Sequence, residues 1–388
     1  MHIAWLGKKS PFCGNVTYGR EITKALLARN HQVSFLHFAQ GKEEIQQEFT
    51  TPEVQLPFLY KSQVYTIPTL KASKVFMASL KQLKPDLVHA SLTLSPLDFL
   101  LPDICEEMGL PLIATFHPPF DSKIRNLKSS TQYLTYQLYA PFLARYDCTI
   151  VFSEIQRDLL VKLGVPGAKV VVIPNGVDEK KYTPGYSNLK YQIRAKKLFV
   201  YQGRIATEKN VEALLKAWKI CALGNDAKLL IVGDGHLKAS LQPHYGSKHN
   251  IIWLGFVAEE ARRIDILRAA DVFILPSLVE GLSISLLEAM ACGVACIATD
   301  AGADGEVLNR GAGIVIDTQE VTTQLKTLLP LLYQQPEMVT LLGNKARQRA
   351  IERYTLSQNI TKLEQLYAQV TKTYPLPDSQ MQVRIVDC

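Results

Sequence analysis

Two glutamates, Glu280 and Glu288, stand apart in VEGLSISLLEAMACGVACIATD (residues 279–300), where every other residue before Asp300 is uncharged and most are apolar or small. Carboxylates isolated in apolar surroundings need partners. At this spacing the pair can accept hydrogen bonds from two hydroxyl-bearing parts of one ligand. A second set is Gly203, Arg204 and Lys209 in YQGRIATEKNVEALLKAW. The planar fork of an arginine and the point charge of a lysine together suit a diphosphate. Two cations at a helix start are disfavoured by the helix dipole unless an anion binds there; the plainer alternative is a solvated helix start. Gly233-Asp234-Gly235 ends an apolar run and permits either close backbone approach or simply a tight turn. His117 closes PLIATFH, a position that also suits a purely structural histidine. No GxGxxG fingerprint occurs, which argues against a nicotinamide enzyme. No Asp-x-Asp pair occurs either, so no metal bridge to a diphosphate is evident, and neither a metal site nor a cofactor is expected.

These residues need elements to hold them. Asp271–Asp300 reads as a buried strand, a Pro-Ser turn, an acidic loop, a helix and a second buried strand. The free N–H groups at that helix start attract anionic or hydroxyl-rich groups. Upstream, HIAWLG, a glycine-containing loop, a helix reaching Arg29 and QVSFLHF form a βαβ unit, with parallel pairing and a right-handed crossover. Apolar runs follow at 86–91, 111–117, 148–153 and 169–174. After NGVDEKKYTPGYSNLK, which lacks periodicity and reads as a linker, a second series runs at 198–203, 228–235, 250–257, 271–277, 295–300 and 313–317. Near-continuous Val/Ile/Leu strands alternating with helices predict doubly wound α/β sheets, one in each half. In such sheets ligands bind beyond the carboxyl ends of the strands, where the residues named above fall.

The 388 residues exceed one ordinary core and imply two domains. No apolar run approaches the roughly 20 residues that span a bilayer. Lys8 and Lys9 follow a short strand rather than precede an apolar stretch, so no signal peptide is read and a cytoplasmic location is expected. The seven cysteines are scattered, as befits reduced and mostly buried thiols.

Glu280 and Glu288 in EGLSISLLE, taken with Gly203, Arg204 and Lys209 in GRIATEK, resemble the retaining glycosyltransferases of family 4. IPNGVD (173–178) and LGF (254–256) fall where that family has corresponding segments. The resemblance implies the GT-B fold: two Rossmann-like doubly wound domains facing across a cleft, with a C-terminal helix crossing back to the first. The expected division is 1–180 for acceptor binding, 190–355 for the nucleotide sugar, 356–374 for the returning helix and 375–388 for a tail. It further implies that Arg204 and Lys209 hold the donor diphosphate, beside Gly203 and Gly233. Glu288 would bind the ribose, and Glu280, flanked by Gly281 and Leu282, hydroxyls of the transferred sugar. The backbone of Gly255, Phe256 and Val257 would meet the base, and His117 would lie near the reacting sugar. The family's first loop often carries a Gly-Gly pair; this chain has Phe12-Cys13-Gly14-Asn15, where Gly14 alone would let the backbone approach the donor.

The acceptor must be read from the first half, which is the basic one. Lys and Arg exceed Asp and Glu by five in residues 1–190 and by two in 191–388. Residues 54–85 hold five lysines and no acid. There, TLKASKVFMASLKQLK places Ala72, Phe76, Leu80 and Leu83 on one helical face and Lys71, Lys74, Lys81 and Lys84 on another. A second acid-free stretch, 122–146, interleaves Lys123, Arg125 and Lys128 with Tyr133, Tyr136, Tyr139 and Phe142. Basic and aromatic side chains together suit an anionic membrane surface, against the plain alternative of a half-buried helix with a solvated lysine face. No nucleic-acid motif appears. The opening GKKSPFCGNVTYGRE is similar to that of cyanobacterial-type digalactosyldiacylglycerol synthases. That likeness implies UDP-galactose as donor and monogalactosyldiacylglycerol as acceptor, with peripheral membrane contact. A soluble or polysaccharide acceptor, or a GT-B sugar-nucleotide epimerase, are the alternatives.

Overall fold

The computed structural model describes residues 1–9, 13–38, 51–62, 65–120 and 127–374, with the backbone alone for 127–130. Lys123, Arg125, the side chain of Lys128 and the 375–388 tail lie outside the described residues.

In chain order the first half supplies β1 (His2–Gly7), β2 (Gln32–His37), β3 (Glu53–Gln55), β4 (Phe58–Lys61), β5 (Thr66–Pro68), β6 (Leu87–Ser91), β7 (Leu112–Thr115), β8 (Cys148–Val151) and β9 (Val170–Val172). All but β4 and β5 form one sheet in the order β3-β2-β1-β6-β7-β8-β9, parallel throughout. The second half supplies β10 (Lys197–Gln202), β11 (Ala227–Val232), β12 (Ile251–Gly255), β13 (Val272–Leu275), β14 (Ala295–Thr299) and β15 (Ile314–Ile316). These form a parallel sheet in the order β12-β11-β10-β13-β14-β15. The order reverses beside β10, so a crevice opens between the carboxyl ends of β10 and β13. Central strands are buried on both faces, which is why Val272–Leu275 and Ala295–Thr299 are continuous apolar runs.

Three strands escaped the sequence reading. β3 extends the first sheet beyond β2, while β4 and β5 form an antiparallel hairpin of their own. The segment reads as loop because its apolar residues do not alternate: Leu59 and Tyr60 are consecutive and both exposed. The helix expected next is present as Ala72–Leu83, with Ala72, Phe76 and Leu80 buried and the four lysines exposed.

The linker is packed rather than loose. Val177 pairs with Thr355, and Tyr182 and Leu189 are buried. A Cβ on Gly176 would lie 2.7 Å from Leu356 Cα, so the two chain crossings run against each other there. The last helix, Leu356–Thr371, returns to the first domain as expected. It packs on the Gly14–Ala28 helix, where Arg29 binds Glu364 (2.5 Å) and donates to the Ser357 carbonyl. Its Leu363 and Tyr367 join Ile3, Trp5, Tyr18 and Ile22 in an apolar core continuous with that of the second domain. The described cysteines are all free thiols, four of them buried.

Candidate active site

The site begins with three glycines at neighbouring strand ends. β10, β11 and β12 finish side by side, and Gly203, Gly233 and Gly255 follow or end them. Gly233 N donates to the Gly255 carbonyl (2.8 Å), and Gly203 N to the Val232 carbonyl (2.9 Å). Gly233 adopts φ +139°, and a Cβ there would stand 1.8 Å from the Gly203 carbonyl oxygen. Only glycine fits. This decides one half of the sequence question: the Gly-Asp-Gly turn lets two backbone segments approach each other.

Beyond Gly203 the chain is fixed by Tyr201, whose hydroxyl donates to the Arg204 carbonyl (2.7 Å). A single 3₁₀ turn, Thr207–Lys209, then precedes the Val211–Cys221 helix, so both cations stand just before a helix start. Each faces a carboxylate. Arg204 pairs with Glu208 (2.7 Å) and Lys209 with Glu280 (2.5 Å). The first pair is partly exposed, whereas Lys209 and Glu280 are only 18% and 9% exposed.

Glu280 sits on the loop after β13. Its Oε1 also accepts from Ser277 Oγ (2.7 Å), and the Ser277 carbonyl accepts from Thr299 on β14 (2.5 Å). Gly302 underlies this loop: its φ is +59°, and a Cβ there would lie 2.1 Å from the Glu280 carbonyl oxygen. Asp304, fully buried, accepts from Ser283 N (2.9 Å). Burial pushes the Asp304 carboxyl well above its ordinary value, and the Glu280 charge adds to the effect.

Glu288 projects from the Ile284–Ala291 helix, which Ser283 caps by accepting from Leu286 N. Gln202 Nε2 donates to its Oε2 (3.0 Å), and Tyr182 is a further hydrogen-bond partner. Burial raises the Glu288 carboxyl to about 7, against a smaller opposing pull from Arg263. Arg263 also donates to the Val257 and Ala258 carbonyls, anchoring the segment after Gly255, where Phe256 is 55% exposed.

The first domain meets this wall directly. Phe120 N donates to the Glu280 carbonyl (2.9 Å), and Asn175 Nδ2 donates to the Leu282 carbonyl (2.7 Å). A Cβ on Gly281 would lie 3.5 Å from the His117 carbonyl oxygen, so the His117 loop and the Glu280 loop are in contact. His117 Nε2 is 2.8 Å from Ser91 Oγ, whose hydroxyl donates to Asn15 Oδ1 (2.9 Å); Asn15 Nδ2 in turn donates to the Leu92 carbonyl (3.0 Å). That chain has one consistent direction. With the Ser91 proton committed to Asn15, Ser91 accepts from His117 Nε2–H, leaving Nδ1 as the ring's acceptor. Burial, reinforced by the Lys8 charge, holds His117 down at about 3, so the ring is neutral. Gly14, at the start of the helix that carries Asn15, is exposed, with open space where a side chain would be.

His117, Lys209, Glu280, Gly281 and Leu282 are thus brought together, with Arg204 beside them. Gly233 and Gly255–Val257 lie along the same strand ends, toward β12, and Glu288 faces β10 through Gln202. Sequence reasoning missed Ser277, Gln202, Tyr182, Asp304, Ser91, Asn15 and Arg263. Most of their partners are far away in the chain, such as Ser91 and Asn15 at a separation of 76, and no local pattern marks those. Ser277, three residues before Glu280 in the Pro-Ser turn, and Arg263, five and six residues after the carbonyls it binds, are the local exceptions.

Two Rossmann-like domains closed by a returning helix, with the polar site at their junction, define the GT-B class of nucleotide-sugar enzymes. Residues 14–181 match Glycosyltransferase Family 4 and residues 190–349 match Glycosyl transferases group 1. The chain belongs to the family 4 glycosyltransferases and is a nucleotide-sugar glycosyltransferase. It is 28% identical over 305 residues to the UDP-Gal:alpha-D-GlcNAc-diphosphoundecaprenol alpha-1,3-galactosyltransferase of Escherichia coli, covering 74% of this chain and 76% of that one. It is 34% identical over 176 residues to the GDP-mannose-dependent monoacylated alpha-(1-6)-phosphatidylinositol monomannoside mannosyltransferase of Corynebacterium glutamicum, covering 41% of this chain and 46% of that protein. Among solved structures, Anabaena HepE in complex with UDP superposes with a TM-score of 0.75 at 18% identity, covering 95% of this chain and 100% of that one. HepE has also been solved with UDP-glucose.

Proposed function

We propose that this glycosyltransferase moves a hexose, with UDP-galactose the favoured donor, onto a membrane glycolipid such as monogalactosyldiacylglycerol, giving digalactosyldiacylglycerol with retention at the anomeric carbon. Arg204 and Lys209 would neutralise the diphosphate, which gains charge as it leaves; fixed cations in a partly dry site stabilise that developing charge. Glu280 would exchange its contact with Lys209 for hydroxyls of the hexose, and Glu288 would hold the ribose. His117, neutral and with Nδ1 as acceptor, would face the reacting sugar. Val257 and its neighbours would meet the base.

The observation that carries the reading is the Lys209–Glu280–Ser277 cluster lying against the His117 loop across the domain junction. The galactose preference draws support from the UDP-Gal in the name of the Escherichia coli relative. A membrane acceptor draws support from that relative and from the Corynebacterium one, whose names specify a diphosphoundecaprenol and a phosphatidylinositol mannoside. The lysines exposed on the Ala72–Leu83 helix and at its ends, in a segment without acids, add the charge such a surface attracts. No helix among the described residues is long and apolar enough to cross a membrane; the contact we propose is peripheral.

Incubation with labelled UDP-galactose and UDP-glucose against a lipid extract and a panel of soluble sugars tests this. Label from UDP-galactose should enter the lipid phase. Label entering only soluble saccharides would exclude the lipid acceptor and leave the soluble or polysaccharide alternative. An altered sugar nucleotide formed with no acceptor present would favour the epimerase.

A further inference from the structure

The β4–β5 hairpin turns large apolar side chains outward. Leu59 is 74% exposed, Tyr60 50%, Tyr65 45% and Ile67 39%, and Leu70, just past the hairpin, is 99% exposed. A two-stranded hairpin standing apart from its sheet is marginal in water, and five large apolar side chains within twelve residues make an uncommon surface. The hairpin is nevertheless held in place. Thr66 is buried and donates its N–H to the Leu94 carbonyl (3.3 Å); Lys61 reaches back to the Phe38 carbonyl (2.9 Å) and lies over the Phe58 ring. β5 also packs on the Pro96–Phe99 turn, and there Phe99 stacks on Phe142 with ring centroids 4.3 Å apart. Leu138 and Leu134, one and two turns before Phe142 on the same side of the Leu127–Leu143 helix, are 58% and 61% exposed. The chain that follows is cationic: Lys71, Lys74, Lys81 and Lys84 come directly after it and are exposed, and no acid occurs from 54 to 85.

We propose that the β4–β5 hairpin, with Leu70, is a wedge that enters the headgroup region of an anionic phospholipid bilayer while the lysines of the following helix engage lipid phosphates. Tyrosines suit that depth because their rings are apolar and their hydroxyls reach water. The absence of acids favours an anionic lipid surface over a second copy of this chain, which would bring like charges together. The inference rests on the membrane-acceptor reading and adds the element that does the docking.

The test is co-sedimentation of the full chain with vesicles of phosphatidylcholine alone and of phosphatidylcholine mixed equally with phosphatidylglycerol. The variants are the triple change Leu59→Ser, Tyr65→Ser, Leu70→Ser and the quadruple change of Lys71, Lys74, Lys81 and Lys84 to Gln. The wild type should bind the mixed vesicles, less so in high salt, and each variant should bind about tenfold or more weakly. Both variants should keep transfer to detergent-dispersed acceptor. Wild-type binding that the triple change leaves intact overturns the proposal. So does failure of the wild type to bind any vesicle, or a wild-type dimer in solution that the triple change dissociates. If docking fails while transfer to dispersed glycolipid persists, only the wedge is wrong. If docking holds while label enters soluble sugars alone, the acceptor reading is wrong.

Discussion

Lys209 Nζ lies 2.5 Å from Glu280 Oε1, on an oxygen that Ser277 also serves. The cation proposed for the diphosphate and the carboxylate proposed for the sugar therefore satisfy each other. Both are largely buried, so removing either would leave the other without its ion-pair partner. A nucleotide sugar that brings a diphosphate to Lys209 and hydroxyls to Glu280 would replace this pair with two complementary contacts.

Replacing Lys209 or Arg204 by Ala should remove about 2–5 kcal/mol of stabilisation from the transition state. In kcat/KM this amounts to roughly 30-fold to several-thousand-fold. Steady-state kinetics with the donor varied measures it, and unchanged kinetics in Arg204→Ala would sink the diphosphate assignment. Lys209→Ala should also lower the denaturation midpoint, since it strands Glu280 near the buried Asp304; Arg204→Ala, at a partly exposed pair, should not.

Glu288 should make stability fall with pH. Burial keeps its proton to about 7, whereas the unfolded chain releases it near 4.5. Stability from this group is full below pH 4.5, declines between 4.5 and 7, and above that is lower by on the order of 3 kcal/mol. Glu288→Gln keeps a neutral group of the same shape. Chemical denaturation should therefore find it equal to the wild type below pH 4.5 and more stable above pH 7. Parallel pH dependence in the two proteins would contradict this.

His117 should be a neutral ring with its proton on Nε2 throughout the neutral range, because its pKa is held at about 3 and Ser91 accepts from Nε2. Nitrogen shifts of the labelled ring report this directly, and an imidazolium signature near pH 6 to 7 would refute it. Ser91→Ala should mix the two tautomers.

Gly302→Ala forces a side chain toward the Glu280 carbonyl from a left-handed backbone. The expected cost is about 1–3 kcal/mol of stability, together with a raised donor KM as the Glu280 loop shifts. A melting curve and a donor titration on the same sample separate the two effects.

The sheets and the loop that carries Glu280 were legible because their signals are local. Short continuous β-branched and apolar runs such as Val272–Leu275, bounded by turn signals, fit strands covered on both faces, and carboxylates in an apolar segment need partners. The hairpin was not legible, since Leu59 and Tyr60 face solvent together and carry neither the period of a strand nor that of a helix. Nor was the network beneath the site. His89 sits in the middle of a buried strand and bonds Tyr367 (2.5 Å) from the returning helix and Thr115 (2.7 Å) from β7. A histidine inside an apolar strand announces that partners exist; which residues they are depends on where the last helix lands. The same holds for Gln202 and Tyr182 on Glu288, which converge only after the linker folds against the second domain.

The donor site is tested most directly by calorimetric titration of UDP-galactose into the wild type, Arg204→Ala and Glu288→Ala, with no acceptor present. The wild type should bind, and each variant should bind about tenfold or more weakly through loss of a charged or buried hydrogen-bonding partner. Undiminished binding by both variants would place the nucleotide sugar elsewhere and contradict the assignment of this cleft.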